Sequence, residues 1–145
     1  MKTRIFLSVM AAALGLGICG TVLAADGTTF GAKLSGASEV PANASPGAGT
    51  LEASLDPQTS VLSWTLTYSG LTGPVKAGHF HGPAAAGANA GVALGITGLV
   101  ESPAKGSATL TAAQVDDLKA GKWYVNLHTA ANPGGELRGQ VMPSP

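Results

Sequence analysis

The three histidines of this chain lie in two short phrases, Gly78–Gly82 and Tyr124–Thr129. His79 and His81 are two positions apart, and in a β-strand such positions share one face. His128 would join them if its strand lay beside theirs. Three converging neutral imidazoles suit Cu(II) or Zn(II), whereas Mg(II) and Ca(II) prefer oxygen ligands. We therefore predict a metal site formed by the three histidines, with copper as the expected ion and zinc as its alternative.

Strand periodicity also predicts which side of the sheet these imidazoles occupy. In the second phrase the apolar residues share one parity, and Asn126 and His128 have the other. Packing the apolar set inward therefore turns His128 outward. The same argument buries Phe80 and turns His79 and His81 outward. A single strand histidine is more often solvated or hydrogen-bonded than a ligand, so separate roles for the three remain the alternative.

The residues downstream of His128 have two interpretations. A turn-rich segment, 129–135, leads to Glu136 and Arg138. In one interpretation these two form an exposed ion pair, which contributes little to stability. In the other, the loop returns over the histidines, and both charges orient the ligands or attract an anion. Asn126 is expected, with Glu136 and Arg138, to surround the ligands rather than to bind the ion.

Residues 1–24 predict an export signal. A short basic start precedes an apolar run that ends at Val22–Ala24 in a small-x-small pattern typical of signal-peptidase sites. The mature chain is expected to begin near Ala25 or Asp26, leaving a single domain of residues 26–145. The predicted location is therefore the periplasm or the outside of the cell. A retained membrane anchor is the alternative, but glycines interrupt the run.

Composition excludes several other classes of protein. Cys19 is the single cysteine and leaves with the signal, so we expect neither a disulfide nor a thiolate ligand in the domain. Cleavage also removes the apolar run, so we expect no stable membrane span in the mature protein. Bulky Ile18 disfavours lipid attachment at Cys19. Removing Lys2 and Arg4 leaves six basic against eight acidic residues, so nucleic acid is not an expected partner. Hydrolase, kinase and dehydrogenase motifs are missing, which argues against those common chemistries and leaves other catalysis open. From the histidines, we expect metal handling rather than catalysis.

Short runs of alternating apolar residues, separated by frequent glycine and proline, predict an all-β domain. The clearest strand is Ser60–Ser69. Weaker runs predict strands at Thr29–Leu34, Gly49–Leu55, Val75–His81, Gly91–Ile96, Gly106–Leu110, Lys122–His128 and Gly135–Met142. A capping box at Thr111 predicts one short helix near 112–120, and residues 82–90 form a loop. About eight strands favour a Greek-key β-sandwich or barrel.

Five phrases in a characteristic order resemble the CHRD (chordin) domain family across nearly all of the predicted mature chain. They are Leu34–Pro41, Tyr68–Gly73, His79–Pro83, Leu118–Thr129 and Asn132–Gly139. The family includes single-domain secreted bacterial members and is named for repeats in a large extracellular regulator. The resemblance thus implies an exported domain, and it leaves open a structural or interaction module without metal.

A looser resemblance is to copper-zinc superoxide dismutase, an eight-stranded Greek-key sandwich that holds copper outside its barrel. His79 and His81 match its His-x-His strand, and His128 matches a later strand histidine. Asn132–Arg138 is similar to its glycine-rich phrase that guides the anionic substrate, with two residues inserted before the arginine. The resemblance implies a dismutase-like fold and, as an alternative function, a copper redox enzyme. The zinc loop, bridging histidine and disulfide of that family have no counterpart here.

Overall fold

A computed structural model describes residues 28–99 and 101–145. The strands are β1 Thr28–Ser35, β2 Ala48–Leu55, β3 Val61–Ser69, β4 Val75–His81, β5 Val92–Ile96, β6 Ala104–Thr109, β7 Trp123–Thr129 and β8 Leu137–Pro143. The helix is α1 Ala112–Lys119, and a 3-10 turn covers Gly36–Ser38. The predicted signal peptide, residues 1–24, lies outside the described residues.

The eight strands form one antiparallel sheet in the order β5-β4-β7-β8-β1-β2-β3-β6, which curls into a nearly closed barrel. This confirms the predicted all-β fold with about eight strands and one short helix. β4 and β7 are neighbours in the sheet although β5, β6 and α1 lie between them in the chain. The crossover therefore places the two histidine-bearing strands side by side.

Alternating apolar residues fill the barrel interior as the period-two pattern predicts. In β3, Leu62 and Leu66 are fully buried and Trp64 is 6% exposed. The Trp64 ring meets Phe80 of β4 edge-on, with ring centroids 5.3 Å apart. Phe80 in turn lies 5.8 Å from the ring of Trp123 in β7. Aromatic packing thus holds the inner faces of both histidine-bearing strands against the opposite side of the barrel.

Helix α1 begins with the predicted capping box. Thr111 Oγ1 accepts a hydrogen bond from the Gln114 backbone N–H at 3.2 Å, and Gln114 Oε1 accepts one from the Thr111 N–H at 2.9 Å. The Gln114 amide also donates to the Ala93 carbonyl at 3.1 Å, so the cap ties α1 to β5. Gly121, with φ of +68°, follows the helix end in the left-handed conformation that glycine tolerates best. Among the described residues, no helix is both long and apolar enough to cross a membrane.

Candidate metal centre

The pairing of β4 with β7 brings the three histidines together on the outside of the barrel. In this register His79 lies opposite Asn126, His81 opposite Tyr124, and Ala77 opposite His128. Phe80 is fully buried between the two outward-pointing histidines of β4. One ring nitrogen from each histidine lies within 4.8 Å of the other two. The predicted outward parity and convergence are both present.

Four donor atoms form a continuous chain of short contacts across the two strands. His79 Nδ1 lies 3.2 Å from His128 Nε2, and His128 Nε2 lies 3.0 Å from Asn126 Oδ1. The same Asn126 oxygen lies 3.1 Å from His81 Nε2. Asn126 is 4% exposed, whereas the three histidines are half-buried, so the cluster lies partly covered on the outer face of the sheet. The sequence predicted that Asn126 lies next to the histidines, and its side-chain oxygen lies between the Nε2 atoms of His81 and His128.

The remaining ring nitrogens of two histidines are bound by backbone carbonyls. His81 Nδ1 lies 3.0 Å from the Ala90 carbonyl oxygen, and His128 Nδ1 lies 2.9 Å from the Pro133 carbonyl oxygen. A carbonyl can only accept, so each Nδ1 must carry the hydrogen and donate it. In the neutral ring the lone pair is then on Nε2, which faces the cluster. Such a hydrogen bond behind a ligating imidazole fixes its tautomer and its ring orientation.

The loop of residues 82–91, here called the capping loop, covers the outer face of β7 and β8. The Tyr124 ring stacks in parallel on His81, with centroids 4.8 Å apart, and its hydroxyl donates to the Ala90 carbonyl at 3.2 Å.

Arg138 contacts both Tyr124 and the capping loop. Its guanidinium carbon lies 3.5 Å from the Tyr124 ring centroid. The guanidinium donates to Asn89 Oδ1 at 2.8 Å and to the Ala88 carbonyl at 2.6 Å. Arg138 therefore holds the loop whose carbonyl orients His81.

Glu136, the last residue of the loop between β7 and β8, is fully buried. Its Oε1 accepts from the Ser45 hydroxyl at 2.6 Å and from the Thr72 backbone N–H at 2.8 Å. Its Oε2 accepts from the hydroxyls of Thr72 and Thr129. Burial acts to raise the pKa of Glu136, but these hydrogen bonds outweigh burial and lower the pKa to about 2. Glu136 thus anchors the residue next to His128.

The interpretation of Glu136 and Arg138 as an exposed ion pair is wrong. Both are buried, at 0% and 2% exposure, and each is hydrogen-bonded to other partners. The loops that cover the outer sheet face explain the difference, because strand parity alone cannot reveal what lies above an outward-pointing side chain. Each charge instead anchors a segment next to one of the predicted ligands.

The electrostatics of the cluster favour neutral His79. Partial burial lowers its pKa, and the neighbouring His128 and His81 lower it further, because an additional positive charge there would be poorly solvated and repelled. His79 and His128 are half-buried. A neutral imidazole is the form that binds Cu(II) or Zn(II).

Sequence reasoning missed several contributors to this site. Tyr124 shares the outward parity of Asn126 and His128, so the strand pattern could have identified it as a neighbour. The carbonyl groups of Ala90 and Pro133 left no signal in residue types, because every residue has a carbonyl and only the loop conformation directs these two at imidazoles.

Comparison with known proteins identifies the family. The CHRD domain model matches residues 30–141, which include all eight strands in whole or in part, and this chain belongs to the CHRD domain family. No curated protein and no solved structure gave a significant match.

Proposed function

We propose that this CHRD-domain protein binds a single divalent copper ion through His79, His81 and His128 and serves in metal handling in the periplasm or outside the cell. The convergence of the three ring nitrogens within 4.8 Å carries the proposal. The Nδ1 hydrogen bonds of His81 and His128 support it, because they direct both Nε2 lone pairs toward a common point before any ion arrives. Zinc bound by the same ligands is the nearest variant, since imidazole suits both ions.

Isothermal titration of Cu(II) and of Zn(II) into residues 26–145 tests this proposal. We expect a stoichiometry of one ion per chain. His81→Ala and His128→Ala should each weaken binding by more than the roughly 10–100-fold that follows loss of a residue that only orients a ligand. Lys76→Ala is the matched control, because Lys76 is exposed on the same strand as His81. Absence of stoichiometric binding, or equal binding by the histidine variants, would refute the proposal.

A dismutase-like reaction receives less support from the same geometry. That alternative requires a positive charge facing the ion to attract superoxide. Arg138, the residue matched to that role by resemblance, is 2% exposed and directs its guanidinium at Asn89 and the Ala88 carbonyl. Superoxide dismutation by the copper-loaded protein at a rate above that of free aqueous copper would favour the redox alternative over metal handling.

A further inference from the structure

Asn126 contributes an oxygen to the histidine cluster, and its surroundings do not suit an ordinary hydrogen-bond acceptor. Its Oδ1 lies 3.1 Å from His81 Nε2 and 3.0 Å from His128 Nε2. Both histidines already donate their Nδ1 hydrogens to the carbonyls of Ala90 and Pro133, so in neutral rings each Nε2 presents a lone pair. An amide oxygen likewise presents only lone pairs. Lone pairs that face one another at such distances repel unless positive charge lies between them.

A cation is the favoured source of that positive charge. One divalent ion would accept all of the converging lone pairs. Ligands placed about 2.0–2.1 Å from an ion in tetrahedral geometry are separated by about 3.3 Å, and slightly less in a square plane. The three consecutive contacts of 3.2, 3.0 and 3.1 Å match such ligand-to-ligand edges.

We infer that Asn126 Oδ1 is the fourth ligand of the ion, which makes the site a closed set of three imidazole nitrogens and one amide oxygen. This inference rests on the proposed metal binding and specifies the number and type of the ligands. Closed four-ligand sites hold an ion, whereas catalytic sites keep one position for water or substrate. An oxygen donor with imidazoles, and no thiolate or thioether, also favours Cu(II) or Zn(II) over Cu(I). The protein therefore holds a divalent ion without exposing it to small anions.

Azide binding to the Cu(II)-loaded protein tests the closed site, because azide coordinated to Cu(II) produces a new charge-transfer absorption band. We expect no such band for the unaltered protein. Asn126→Leu has similar volume and no donor atom, so it should open a position, acquire the azide band and bind Cu(II) at least about tenfold more weakly. Asn126→Asp retains an oxygen donor and should bind Cu(II) tightly while still excluding azide. Circular dichroism checks that both variants fold.

The outcomes separate this inference from the proposed function. If the unaltered protein binds one Cu(II) but accepts azide as readily as Asn126→Leu does, metal binding stands and the fourth-ligand assignment is overturned. If the unaltered protein binds no divalent ion, both are overturned, and the Asn126 amide group would then donate hydrogens to the two Nε2 atoms. If Asn126→Leu misfolds, equal azide binding by the unaltered protein and Asn126→Asp still overturns the assignment, and azide exclusion by both supports it.

Discussion

At the scale of single residues, two buried carboxyl groups show how environment decides the behaviour of chemically identical groups. Glu136 accepts four hydrogen bonds, and its pKa falls to about 2. Glu39 is 7% exposed and has one buried oxygen without a partner in the described structure. Burial raises the pKa of Glu39, although Arg138 and the Val40 N–H partly offset this effect. One carboxylate thus favours the folded state and the other opposes it.

We predict that Glu136→Gln destabilises the domain at pH 7 by about 3 kcal/mol, the value that corresponds to lowering a carboxyl pKa from 4.5 to about 2. Because the folded-state pKa is the lower one, this stability is present above about pH 4.5 and is lost as the pH falls toward about 2. Urea unfolding across this pH range should show a much shallower acid-induced loss in the variant than in the unaltered protein.

Glu39→Gln is the matched control for this prediction. Removing a carboxylate charge that burial disfavours should leave stability at pH 7 unchanged or increased. A loss from Glu39→Gln as large as the loss from Glu136→Gln would show that removing any buried carboxylate is harmful, and it would contradict the special role assigned to the hydrogen bonds of Glu136.

At the scale of elements, two loops turn a pair of strands into a preorganised site. The capping loop, residues 82–91, directs the Ala90 carbonyl at His81, and the loop after β7 directs the Pro133 carbonyl at His128. Glu136 and Arg138 anchor these loops. The sheet supplies the spacing of the three histidines, and the loops supply the tautomers and orientations of His81 and His128.

We predict that Arg138→Met loosens the capping loop. It removes the hydrogen bonds to Asn89 and the Ala88 carbonyl and the contact with the Tyr124 ring, which should cost about 2–4 kcal/mol in stability. Copper affinity should fall about tenfold because His81 loses its fixed orientation. Hydrogen exchange should accelerate at the amides of residues 84–90 while those of β2 and β3 stay protected.

Lys33→Met provides the control, because it removes an exposed positive charge from β1, the neighbour of β8. It should change neither copper affinity nor exchange in the capping loop. Equal effects of the two variants would mean that net charge, rather than the contacts of Arg138, governs the loop.

At the scale of the whole molecule, the barrel core connects the site to strands on its far side. Trp64 of β3 contacts Phe80, and Phe80 contacts Trp123. Gly106 of β6 lies against the Trp64 indole, where an added Cβ would come within 2.5 Å of the ring. The glycine leaves the space that the indole occupies, so its small size is part of the core packing.

We predict that Gly106→Ala lowers the free energy of unfolding by about 1–3 kcal/mol, because the methyl group displaces Trp64 from its place against Phe80. Gly95→Ala in β5 is the matched control: an added Cβ there meets nothing within 4 Å, and removing a strand glycine should be neutral or slightly stabilising. Chemical denaturation of both variants measures the difference. Equal stability of the two would contradict the packing role of Gly106.

Local patterns in the chain predicted most of its secondary structure. Alternation of apolar residues identified all eight strands within two residues or so of their observed bounds, and the Thr111 capping box located the helix. The outward parity of the three histidines also followed from strand geometry. These properties depend on neighbours close in the chain, so they can be derived without knowing which distant segments meet.

The sequence by itself thus determined the strands, the short helix, the face that each histidine occupies and the membership of the CHRD family, all of which depend on local periodicity or on the order of motifs. Only the tertiary structure decided that β4 lies next to β7, that two loops turn backbone carbonyls toward His81 and His128, and that Glu136 and Arg138 are buried anchors. The reason is physical: strand pairing and loop return depend on contacts between residues distant in the chain, and backbone carbonyls carry no residue-specific signal.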